Sequence, residues 1–67
     1  MMTIRELKRV MFFEQNVEMI CYIKGSFKIF KGFAENIPDE YLNLFITVLL
    51  PLGDSCTTLF IGCCDVV

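Results

Sequence analysis

Sixty-seven residues carry six Lys or Arg against eight Asp or Glu, a net charge of −2, with 55% hydrophobic residues and a mean hydropathy of +0.59. One domain, residues 1–67, is all that such a length accommodates, and a domain this small buries only about 60% of its unfolded surface. The composition excludes Cys–His and Ser–His catalytic pairs, since no histidine is present, and its longest apolar run, Leu44 to Leu52, falls well short of the ~20 residues of a spanning helix.

The chain opens on Thr3-Ile4-Arg5-Glu6, a capping box in which hydroxyl and carboxylate each satisfy the other residue's amide. Ile4, Leu7, Val10 and Met11 then share one helical face, which predicts a helix from Ile4 to about Phe12. No apolar core or small-residue cleavage site marks this end as a secretory signal, so a cytosolic protein with reduced thiols is expected.

From Val17 to Phe33 the period changes to that of strands. Gly25-Ser26 divides the stretch, and glycine at the first loop position predicts a type II′ hairpin with Lys24 opposite Phe27 and Tyr22 opposite Ile29. The face holding Val17, Met19, Cys21 and Ile23 is the more apolar and is expected to look inward. Basic and aromatic residues alternate between Lys24 and Phe33, a pattern used by single-strand nucleic-acid platforms. An acidic chain with six bases favours the plainer reading of strand packing with solvated lysines, and no nucleic-acid partner is expected.

Pro38 fits the first turn of a short helix, and Asp39-Glu40 suit its positive end better than they suit general acid–base chemistry. Leu44 to Leu50 reads as a third strand, apolar enough to be central or covered on both faces. After a turn at Pro51-Leu52-Gly53-Asp54-Ser55, Thr57 to Ile61 begins a fourth strand that Gly62 bends or ends. The predicted fold is α+β: an N-terminal helix packed on a four-stranded antiparallel sheet of two hairpins, with a short helix between them. Neither a paired-carboxylate site nor a glycine-rich phosphate loop occurs, so the chain does not read as an enzyme.

Four cysteines, Cys21, Cys56, Cys63 and Cys64, are enough for a tetrahedral zinc site, although no C-x-x-C knuckle is present. Cys63 and Cys64 can face one ion only if the fourth strand breaks at Gly62, with Cys21 or Cys56 completing the set. The bland alternative is cysteine as a small buried hydrophobe. The surplus of apolar residues predicts self-association, most simply a homodimer, through Leu44 to Leu50 or Thr58 to Val67. Charge is also uneven. All six bases precede residue 32, and every charge after it is acidic: Glu35, Asp39, Glu40, Asp54 and Asp65.

Thr3-Ile4-x-Glu6-Leu7, the strand pair with Gly32, and Ile37-Pro38-Asp39-Glu40-Tyr41-Leu42 together resemble a class of small proteins of Firmicutes genomes and their phages. Those proteins run T-I-x-E-L, a hairpin with a late glycine, then I-P-x-E-Y-L before a final hairpin. The similarity spans about residues 2–48, and the cysteine-bearing apolar C-terminus departs from it. The resemblance implies an inhibitor of a host defence protein in the host cytosol, concretely a small anti-CRISPR against a type II nuclease. Glu35, Asp39, Glu40 and Asp54 would then meet a basic groove. The competing reading is a non-catalytic structural or assembly homo-oligomer of a phage or mobile element.

Overall fold

The structure is a computed structural model that describes residues 1–53 and 57–65. Its first element, α1 (Ile4–Val10), starts where the capping box places it. The Glu6 amide donates to Thr3 Oγ1 at 3.3 Å and the Thr3 amide donates to Glu6 Oε1 at 3.1 Å, so two otherwise orphaned donors are satisfied. The helix stops before the expected Phe12, because Met11 is already extended while its amide still bonds to the Leu7 carbonyl. Ile4 and Leu7 are buried; Val10, expected on the same face, is exposed at the truncated end.

The hairpin pairs β1 (Asn16–Ile23) with β2 (Ser26–Phe33). Its loop residues are Lys24 and Gly25, at φ +50° and +81°. Two successive positive φ values are those of a type I′ turn, not the expected type II′ turn at Gly25-Ser26. The loop therefore sits one residue earlier and each pairing moves by two: Tyr22 faces Phe27, Ile20 faces Ile29 and Glu18 faces Lys31. A shift of two leaves every side chain on its face, which is why Val17, Met19 and Cys21 are buried as expected.

Residues 34–44 carry the chain to the second hairpin through two 3-10 turns, Ala34–Asn36 and Asp39–Tyr41, in place of one short helix. β3 (Phe45–Leu52) and β4 (Thr58–Cys64) then pair antiparallel. The strand order is β2-β1-β4-β3, and the central pair, β1 with β4, is parallel. The α+β class, with one helix on a four-stranded sheet of two hairpins, is as expected. The sheet itself is mixed, which corrects the expectation of an antiparallel one. The cause is the connection, which leaves β2 at one edge and enters β3 at the other, so the hairpins meet along two strands that run the same way.

This order also places the apolar third strand at an edge rather than in the centre. Part of that edge is paired: Thr3 bridges Phe45, and the Ile46 amide donates to the Met2 carbonyl at 2.9 Å. Pro51, which has no amide hydrogen, sits further along the edge, where proline is tolerated. β4 takes the central place and runs straight through Gly62. A Cβ on Gly62 would lie 3.2 Å from Val48 Cβ and 3.3 Å from Thr47 Oγ1. Those residues flank the point where the β3 register slips between Ile46 and Val48. Glycine here makes room for an irregularity in the neighbouring strand and does not end its own.

The core lies on one side of the sheet. Val17, Met19, Cys21, Ile61 and Cys63 are covered by Ile4 and Leu7 of α1 and by Ala34, Ile37, Tyr41, Leu42 and Leu44 of the connection. The amides of Ile4 and Arg5 donate to the carbonyls of Leu44 and Leu42, at 3.0 and 2.9 Å, and tie the two covering segments together. Among the described residues, no helix is long and apolar enough to cross a membrane.

Candidate partner-binding face and cysteine pair

The second side of the sheet has no covering layer among the described residues. Strand alternation places on it Phe27, Ile29, Lys31 and Phe33 of β2, Glu18, Ile20 and Tyr22 of β1, Phe60 and Cys64 of β4, and Val48 and Leu50 of β3. Phe27 is 73% exposed, Ile29 65% and Leu50 51%, and Tyr22, Phe33 and Val48 are also exposed. The Tyr22 and Phe27 rings meet across the strand pair at 5.1 Å between centroids and 56° between planes, a tilted contact of the favourable kind. At the far end of the same face Lys31 Nζ lies 3.6 Å from Glu18 Oε1. This is an apolar surface with one ion pair on it, and continuous exposed apolar area of this sort marks interaction sites.

The same alternation distributes the bases and the aromatics between Lys24 and Phe33 over both faces. Lys28 and Phe30 are on the side of Cys21 and Met19, whereas Phe27, Ile29 and Phe33 are on the open side, with Lys31 beside Glu18. A one-dimensional interleaving of bases and aromatics thus divides between two faces.

Glu35, Asp39 and Glu40, the expected partner contacts, are exposed on the connection. They therefore belong to the layer that covers the core, on the side opposite the open face. Asp54, expected with them, lies outside the described residues. The bases of α1 share that layer: Arg5, Lys8 and Arg9 line a shallow groove with Leu42 of the connection. Bases and acids that are segregated along the chain thus sit on the same covering layer of the fold. Tyr41, buried beneath the connection, has its phenol pushed up by burial and then by Glu40.

The cysteines divide as well. β4 continues through Gly62, so Cys63 points into the core and Cys64 to the open face, and the break at Gly62 on which a site shared by both depended does not occur. Cys21 does meet Cys63: they are register partners on β1 and β4, their sulfurs are 2.7 Å apart, and both are buried. Cys56, the remaining expected ligand, lies outside the described residues. Among the described residues no group of three or more His, Cys, Asp or Glu is placed to hold a metal ion.

A thiol proton shared between Cys21 and Cys63 makes the two sulfurs unequal. The hydrogen bond between the two sulfurs, in which either can donate, lowers the pKa of Cys21 against the opposing effect of burial. The same bond, reinforced by burial and by the neighbouring Cys21 and Cys64, raises that of Cys63. Sequence reasoning grouped all four cysteines but did not single out this pair. The signal was the alternation itself, which sets Cys21 inward and lets only one of the adjacent Cys63 and Cys64 join it. Comparison with protein-family models, curated proteins and solved structures finds no match for this chain.

Proposed function

We propose that this chain is a small non-catalytic inhibitor that docks its open sheet face on a host defence protein, with a type II CRISPR nuclease as the concrete partner. The observation that carries the docking part is the uncovered face, where Phe27, Ile29 and Leu50 are each more than half exposed. Large apolar and aromatic groups gathered on one rigid surface are what central contacts of protein interfaces are made of. The choice of partner rests on the resemblance of the T-I-x-E-L and I-P-x-E-Y-L segments to small Firmicutes phage proteins. Glu35, Asp39 and Glu40, exposed on the opposite layer, would act on approach to a basic surface only through the chain's overall charge.

The test is binding to a purified type II nuclease with its guide RNA, and inhibition of its DNA cleavage. Phe27→Asp with Ile29→Asp should abolish both while the variant stays folded. Asp39→Lys with Glu40→Lys, away from the docking face, should leave binding in place and slow association only slightly, and only at low salt, because exposed charges act mainly on the encounter. A wild-type chain that neither binds nor inhibits the nuclease would refute this partner.

A second reading is favoured by the same face. An apolar sheet surface can pack on a second copy of itself about a two-fold axis, and such a homodimer would cover it. Light scattering over a dilution series separates the readings, since a dimer dissociates on dilution and a monomer keeps one mass throughout.

A further inference from the structure

The geometry points to Cys21 and Cys63 as an oxidation site, at which a hydroperoxide converts the two buried thiols into a disulfide joining β1 to β4. The two residues are direct register partners in the parallel central pair. Neighbouring strands lie about 4.8 Å apart, inside the Cα separation of about 4.4–6.8 Å that disulfides span. Their sulfurs are already 2.7 Å apart, so bond formation at about 2 Å needs little movement. Cys64, adjacent in sequence, is carried to the other side of the sheet and does not compete.

The chemistry is a two-electron oxidation with hydrogen peroxide as the oxidant. Cys21, whose thiol the contact with Cys63 shifts toward the thiolate, attacks one peroxide oxygen. The O–O bond breaks, and the departing hydroxide takes up the thiol proton to leave as water. Cys21 is then a sulfenic acid. The Cys63 sulfur attacks the Cys21 sulfur, the S–O bond breaks, and the hydroxyl leaves with the Cys63 proton as a second water. Two thiols and one peroxide give one disulfide and two waters.

The consequence follows from the topology. β1 pairs with β2 and β3 with β4, and the β1–β4 seam is the strand-to-strand contact that joins the two pairs. A bond between residues 42 apart would staple that seam and restrict the unfolded chain over a long loop. Because the pair faces the core, oxidation would change stability and leave the open face as it is. This inference is independent of the partner named above.

The experiment uses the Cys56→Ser/Cys64→Ser double variant beside the wild type, so that only the two inward thiols remain. Reduced protein is treated with one to a few equivalents of hydrogen peroxide. Intact mass should fall by two hydrogens, titratable thiols should fall from two to none, and tryptic digestion without reductant should link the peptide 10–24 to the peptide 32–67. The melting temperature should rise by about 10 °C or more and return on reduction. In the wild type the same peptides should be linked, and Cys63→Ser should remove the link. Retention of both thiols in the folded double variant, stable sulfinic acid instead of a link, or dimers bridged between chains would each overturn the proposal.

Discussion

The two faces of this sheet are made of similar residues and have opposite fates. Met19 and Ile61 on the inner face are completely buried, while Ile29 and Phe27 on the outer face are largely exposed. All four are of the apolar or aromatic kind, on strands of the same sheet. What separates them is the layer supplied by seven residues of α1 and the connection 34–44, which lie on one side only. Burial therefore depends on what covers a face and not on the apolar character of its residues alone.

The comparison can be broken most severely from the inner side. Ile61→Ala removes buried volume from the middle of the sheet and should cost about 2–5 kcal/mol. In a domain with so small an interior that is enough to leave much of the protein unfolded, as urea denaturation would read out. A cost below 1 kcal/mol would mean that the inner face is not the core. Gly62→Ala strikes the seam between the faces. The new methyl group would press on Val48 and Thr47 at 3.2–3.3 Å, and a loss of about 1–3 kcal/mol is expected from overpacking. If Val48 gives way freely, the stability will not change and the account of Gly62 fails.

Smaller effects sharpen the contrast. Thr3→Ala removes the cap on the helix that covers the inner face and should cost about 1 kcal/mol, with loss of helical ellipticity preceding the main thermal transition. Ile29→Thr, on the open face, should change stability by no more than about 0.5 kcal/mol. The same substitution should nevertheless weaken association with any partner that covers the face. A large loss of stability at Ile29 would show that the outer surface is already covered within the folded chain.

Much of the local structure was legible in the residues. Thr3 and Glu6 set the helix start because capping chemistry acts over three residues, and the alternation from Val17 to Ile23 chose the inward side. The hairpin loop was misplaced by one position: glycine alone satisfies the first site of a type II′ turn, but Lys24 tolerates positive φ and permits type I′ instead. The face assignment survived because the resulting shift was even. At the site, the exposed acids of the connection and the inward Cys21 could be read. The separation of Cys63 from Cys64 could not, since it depended on whether β4 bends at Gly62.

The amino-acid sequence by itself determined the elements, the capping box, the hairpin and the inward side of the first strand, because each is governed by neighbours a few residues apart. Strand order was decided only in three dimensions. An apolar run such as Leu44 to Leu50 is equally consistent with a central strand and with an edge strand bearing an open apolar face, and nothing within the run distinguishes them. The crossing of residues 34–44 from one edge to the other made β1 and β4 parallel neighbours. That one long-range pairing brought Cys21 against Cys63, put β3 at the edge, and left one apolar face of the sheet without a cover among the described residues.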